Sequence, residues 1–247
     1  MAFPSIGTTA ESSTNTAGTS HVVTLPTGIV AGNLILICMD IGSTSATLNA
    51  HADYTELLDE AVANGLKILY RWAAGGETNP TLTSSASTRD ATISFRISGA
   101  EHPAVQAPEI GTTATGTSTT PDPPAVTPTG GAKDYLFITF FGSAGEEVDD
   151  DTWANTPPTS YTPSPPLQKS CGTAGASLGG LIAAASRQLN ATTDNPATFG
   201  IDVSAAWRAQ TIAVHPIQAA VQNNHYVKRK VISVGRRLPP GGMNYGR

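Results

Sequence analysis

The 247-residue chain has only two cysteines, Cys38 and Cys171, which excludes a disulfide framework or a cysteine-built zinc cluster. Stability must come from packing or assembly. Charged residues make up 13% of the chain, about half the usual share, and aromatics only 6%, so a broad aromatic binding face has little material. No apolar run approaches the roughly 18 residues of a membrane helix. The start, Met1-Ala2-Phe3-Pro4-Ser5, lacks the basic and apolar regions of a secretory signal, so a soluble protein made in a cytosol is expected. The chemistry of common enzymes is missing too. No phosphate-cradling glycine loop, nicotinamide fingerprint or metalloprotease helix is found, and His21, His51, His102, His215 and His225 fall at no metal-ligand spacing. The expectation is a non-enzymatic protein with no catalytic residue and no cofactor.

What the chain does have is 33 Thr, 20 Ser, 24 Gly and 18 Pro, a composition suited to strands and turns and poorly suited to helices. Short β-branched or aromatic runs bounded by turn residues predict strands at 21–25, 33–40, 66–72, 92–97, 135–141, 178–185, 198–203 and 209–214. Weaker signals lie at 54–58, 81–84, 125–127 and 161–163. A dozen short strands with turns between them point to an all-β sandwich or barrel. The continuously apolar runs Leu34-Ile35-Leu36-Ile37 and Tyr135-Leu136-Phe137-Ile138 predict central strands covered on both faces.

Motifs recur in order along the chain. Gly7-Thr8-Thr9-Ala10 returns as Gly111-Thr112-Thr113-Ala114, and Asn33-Leu34-Ile35-Leu36-Ile37 is paralleled by Asp134-Tyr135-Leu136-Phe137-Ile138. Tyr54-Thr55 matches Tyr161-Thr162, and Asn79-Pro80 matches Asn195-Pro196. An internal duplication follows. It predicts a single jelly-roll-like antiparallel β-sandwich over residues 1–217, with pseudo-halves at about 7–105 and 111–217. The Thr/Pro-rich stretch 111–128 would be the crossover; the alternative is a linker between two separate domains.

Charge is unevenly placed. Residues 1–220 hold eight basic and 19 acidic side chains, net −11, whereas the last 27 hold six basic and no acidic ones, +6. Such a tail suits nucleic acid, a membrane surface or an acidic protein. Few rings and no recognition motif argue against nucleic acid, and docking on an acidic protein surface, another copy included, is the preferred reading. Residues 218–247 are therefore expected to form a basic attachment arm. Its partner-binding candidates are Tyr226, Lys228, Arg229, Lys230, Ile232, Arg236, Arg237 and Arg247, and the loosely alternating stretch 226–234 could add a strand to a neighbour's sheet edge.

Three further clusters invite a chemical reading. Glu146, Glu147, Asp149, Asp150 and Asp151 could hold a hard cation, meet a basic partner, or form a plain solvated loop; they lack the spacing of a calcium loop. Gly175-Ala176-Ser177-Leu178-Gly179 matches a nucleophile elbow, with Asp194 or Asp202 and then His215 following in hydrolase order. That elbow requires a strand before Ser177 and a helix after it, and Cys171-Gly172-Thr173-Ala174 does not read as a strand, so catalysis there is not expected. Trp153 and Tyr161, in a Pro-rich loop, are candidates for stacking on a host surface glycan.

Several stretches together resemble a family. These are Val23-Thr24-Leu25-Pro26-Thr27-Gly28-Ile29-Val30-Ala31-Gly32-Asn33-Leu34-Ile35-Leu36, Leu69-Tyr70-Arg71-Trp72-Ala73-Ala74-Gly75-Gly76-Glu77, Phe95-Arg96-Ile97-Ser98-Gly99-Ala100, and Ala114-Thr115-Gly116-Thr117-Ser118 with Pro121-Asp122-Pro123-Pro124. Over about residues 7–217 the chain resembles tailed-bacteriophage virion structural proteins, with Asn33 where an acidic residue is usual. The resemblance implies a jelly-roll sandwich serving as a capsid decoration, head-fibre or tail-associated component. The partners it implies are other capsid or tail subunits and further copies of the chain, with no nucleic acid and no membrane. It also implies a location in the virion after synthesis in the bacterial host cytoplasm.

Overall fold

The computed structural model describes residues 2–42, 45–143, 153–172 and 179–218. These residues form antiparallel β-structure with no helix. The first half of the chain supplies β1 (Ser5–Val22), β2 (Leu34–Ile41), β3 (Thr55–Asp59), β4 (Gly65–Trp72) and β5 (Thr81–Ser98). The second supplies β6 (Glu109–Ile110), β7 (Ala114–Ser118), β8 (Lys133–Ser143), β9 (Ala154–Thr156), β10 (Thr162–Cys171), β11 (Gly180–Ala191), β12 (Gly200–Ile201) and β13 (Ala205–Val214).

The first sheet has the order β1-β5-β2-β4-β3. The second runs β10-β11-β8-β13-β6, with β7 also pairing to β13. Taken from β7, the second sheet reads β7-β13-β8-β11-β10, which is the first sheet's order with each strand replaced by its counterpart. The halves do not interleave: each builds one of the two large sheets, which pack face to face, and the second half adds the two-stranded pair β9–β12.

Continuous apolar runs become central strands because both faces of each sheet are covered. Between the sheets, Leu34, Leu36, Cys38, Phe95 and Ile97 meet Leu136, Ile138, Phe140, Ile182, Ile212 and Val214. Side chains of opposite parity on β2, Ile35, Ile37, Met39 and Ile41, lie under a cover that includes Ala46, Leu48 and Tyr54. On β8, Tyr135, Phe137 and Phe141 lie under Ala154, Tyr161, Phe199 and Ile201. Burying each of these larger side chains contributes roughly 1.5–3 kcal/mol. The pairing registers make Leu36 the counterpart of Ile138, since both face the inter-sheet core and pair with Phe95 and Ile212 respectively. The linear motif comparison set Leu36 against Phe137, one residue out, and a one-residue slip exchanges the faces.

Several strands extend past their sequence signals. β1 is an 18-residue strand in a segment of small and hydroxyl side chains with no apolar alternation; its pairing with β5 defines it. The two runs expected at 81–84 and 92–97 are one strand, β5. β10 carries prolines at 163, 165 and 166, admissible because it lies at a sheet edge. The run at 125–127 contributes only the isolated bridge Val126 to Asp194.

Candidate functional site

The acidic run Glu146, Glu147, Asp149, Asp150 and Asp151 lies outside the described residues, as does Ser177. So do Tyr226, Lys228, Arg229, Lys230, Ile232, Arg236, Arg237 and Arg247 of the basic arm. The residues considered as partners for Ser177 are engaged elsewhere. Asp194 accepts a hydrogen bond from the Tyr161 hydroxyl and pairs with Arg187, whereas His215 Nε2 meets Glu109 Oε1 at 2.8 Å.

The two glycan candidates do not form a stacking platform. Tyr161 is 4% exposed, its ring lies under the Arg187 guanidinium at 4.8 Å, and burial pushes its hydroxyl pKa upward. A ring covered in this way cannot offer its face to a sugar. Trp153 is half-buried and packs on the outer core of the second sheet.

The fold instead assembles a polar node that residue spacing could not reveal. His21, at the end of β1, places Nδ1 2.7 Å from Asp90 Oδ1 and Nε2 2.9 Å from Ser84 Oγ, with Ser84 and Asp90 both on β5. Thr92 Oγ1 donates to Asp90 Oδ2 at 3.0 Å. The connectivity is that of a serine-protease triad, yet the environment is that of a clamp. His21 and Asp90 are fully buried and Ser84 is 4% exposed. Ser84 Oγ donates its proton to Ala86 O at 2.7 Å, which ties the hydroxyl to its own strand. The node fastens β1 to β5 next to the register shifts at Thr14, Gly18 and Ser20.

Other buried ionisable groups have equally local duties. Lys67, fully buried, pairs with Asp59 and donates to Ala46 O at 2.8 Å and Glu60 O at 2.6 Å, which ties the covering segment to the sheet. Burial depresses His215, and the opposing pull of Glu109 does not restore it. Burial also raises Glu109, but donors from Thr129 and His215 outweigh it and hold the carboxyl below its ordinary value. Asp40, between the sheets, is fully buried with neither carboxylate oxygen hydrogen-bonded; burial, then the nearby Asp90 charge, holds its pKa well above the ordinary range. Cys38 and Cys171 are buried free thiols, both pushed upward by burial. Among the described residues no group of three or more His, Cys, Asp or Glu could hold a metal ion. No described helix is long and apolar enough to cross a membrane.

The surface is the remaining candidate site. Most cations of the described residues are held by neighbours. Among them are Lys67, Arg71 against Asp53 at 3.3 Å, Arg89 on Asn15 O at 2.8 Å, Arg96 on Gly28 O at 2.9 Å, Arg187 on Asp194, and Arg208 against Glu60 at 3.5 Å. Glu11, Glu56 and Asp122 stand exposed. Glu56 lies on β3, which ends the first sheet and pairs there only with β4. The described body thus pairs most of its positive charge locally and presents Glu56 on an open sheet edge.

Compared with known proteins, the chain matches no protein-family model, no curated protein and no solved structure.

Proposed function

We propose that this chain is a non-enzymatic structural or accessory subunit of a bacteriophage virion, a capsid decoration or tail-associated protein, held to the particle by its basic C-terminal arm. The observation that carries the reading is the charge division: a body of net −11 followed by 27 residues of +6. Ion pairing within the body leaves its net charge unchanged and engages Lys67, Arg71, Arg187 and Arg208 locally. An acidic strand at a sheet edge, such as β3 with Glu56, suits a basic extended segment from a neighbouring copy or another virion subunit, because main-chain pairing supplies affinity and charge supplies register. The sequence resemblance supports the same assignment.

Mass spectrometry of purified particles from the encoding phage tests it. The chain should be present in fixed proportion to the other virion proteins. Deleting residues 221–247 should leave a folded body that no longer enters the particle. Absence of the full-length chain from particles, or normal incorporation of the truncated one, overturns the proposal. A second reading, a carbohydrate-binding module for host attachment, draws on a cleft beside Trp72.

A further inference from the structure

Internal repetition supplies a comparison within one molecule. The register that pairs Leu34 with Trp72, Ile35 with Arg71 and Leu36 with Tyr70 is repeated where Leu136 pairs with Gln188, Phe137 with Arg187 and Ile138 with Ser186. Thr55 opposite Tyr70 is repeated by Thr162 opposite Ser186. Arg71 lies over the Tyr54 ring at 5.7 Å as Arg187 lies over Tyr161 at 4.8 Å. The two sheets therefore carry equivalent clefts. One, of about 470 Å³, is lined by Asp53, Thr55, Tyr70, Arg71, Trp72 and Pro103. The other, of about 450 Å³, is lined among others by Thr162, Ser186, Arg187 and Gln188.

The arginine is common to both clefts, and the rings are not. Where the second cleft has Ser186 and Gln188, the first has Tyr70 and Trp72. Both rings pack in part against the inter-sheet core, yet the second sheet carries polar side chains at the same register positions, so a sheet of this design does not by itself call for rings there. Rings are scarce in this protein: of the 13 Phe, Tyr and Trp among the described residues, nine are buried. Only Phe3, Tyr70, Trp72 and Trp153 keep partial exposure, and two of those four share this cleft. The second cleft is further tied off, since Gln188 donates to Pro4 O at 2.8 Å.

We propose that the cleft formed by Tyr70, Trp72, Arg71 and Asp53 binds a neutral saccharide. The volume lies in the range of small-molecule sites, about 300–1,000 Å³. Trp72, propped by the His102 ring at 4.8 Å, supplies an amphipathic surface for the C–H face of a pyranose. Arg71 Nη1 and Asp53 Oδ2, 3.3 Å apart, place a donor and an acceptor side by side. Adjacent sugar hydroxyls, each able to donate and accept, match that pair. Anionic ligands are disfavoured because Asp53 and Glu77, whose carboxylate is 4.0 Å from Arg71 Nε, already offset the one cation. The inference does not depend on a virion location.

The test uses the full-length chain, saturation-transfer NMR and tryptophan fluorescence. The probes are a panel of neutral hexose, deoxyhexose and N-acetylhexosamine tetrasaccharides, with ATP and a proline-rich decapeptide alongside. At least one saccharide should bind with millimolar or tighter affinity. Trp72→Ala should weaken it at least tenfold, as should Asp53→Asn, a change at an exposed side chain that leaves the fold intact. Trp153→Ala and Gln188→Ala should have no effect. A panel without binding, binding unchanged in Asp53→Asn and Trp72→Ala, or binding of ATP or the peptide alone would overturn the proposal.

Discussion

The carboxylate of Asp40 occupies the space that a side chain on Gly142 would need. A Cβ placed on Gly142 would lie 2.5 Å from Asp40 Oδ1, and one on Gly180 would meet Asp40 Oδ2 more closely still. Two glycines on the second sheet thus make room for one acid of the first, in a layer built mainly of apolar side chains. Gly142→Ala should cost about 1–3 kcal/mol by overpacking. Combining it with Asp40→Ala should cost less than the two single changes added together. Urea unfolding of the four proteins measures this, and strict additivity would refute the contact.

Asp40 also predicts a pH dependence. Its folded pKa is raised, so the folded chain keeps a proton that the unfolded chain releases above the ordinary value of 3.8. The stability it contributes is complete below that pH and is lost as pH rises toward the folded value. Relative to Asp40→Asn, the native protein should lose about 1.4 kcal/mol per pH unit through this window. Parallel stability curves for the two proteins would show that the group does not titrate in this way.

His215 and Glu109 act in the opposite direction. Both folded values are depressed, so their contributions are present above the unfolded values, 6.5 for the imidazole and 4.5 for the carboxyl, and are lost as pH falls below them. In the Asp40→Asn background, where the opposing titration is absent, melting temperature should therefore begin to drop below about pH 6.5 and drop again below about 4.5. His215→Gln should remove the upper part of that loss and leave the lower part. Scanning calorimetry across pH 3.5–8 separates the two steps.

The Ser84–His21–Asp90 node should behave as a clamp. Ser84→Ala is expected to cost about 1 kcal/mol, and His21→Ala about 3 kcal/mol because it leaves Asp90 buried without its partner. Hydrolysis of p-nitrophenyl acetate should be the same in the native protein and in Ser84→Ala. A loss of ester hydrolysis in that variant would reassign the node as a catalytic site.

Sequence patterns conveyed the strand-rich class because Leu34-Ile35-Leu36-Ile37 and Tyr135-Leu136-Phe137-Ile138 are apolar on both faces, a local property. β1 escaped notice because its Thr, Ser and Gly side chains carry no alternation, and its strand state comes from pairing with β5. Matching Tyr54-Thr55 with Tyr161-Thr162 put equivalent residues together, since each tyrosine lies under an arginine. The same comparison set Leu36 against Phe137, because aligning two unbroken apolar runs says nothing about which face each residue takes. Tyr161 reads as a loop aromatic, yet tertiary packing covers it. The His21 node joins residues 63 and 69 positions apart, beyond any local pattern. Tyr70 and Trp72 were visible only as strand residues; their partial exposure emerges at the open side of the sandwich.

Because each half of the chain builds one entire sheet, the apolar surface between the sheets is an intramolecular version of a dimer interface. Either half alone would expose that whole apolar face to water. Joined through the 99–108 connection, the two halves differ in their recesses, one lined by rings and the other bordered by the N-terminal segment. Two fragments cut at that connection should reassemble on mixing, each serving as the other's missing layer.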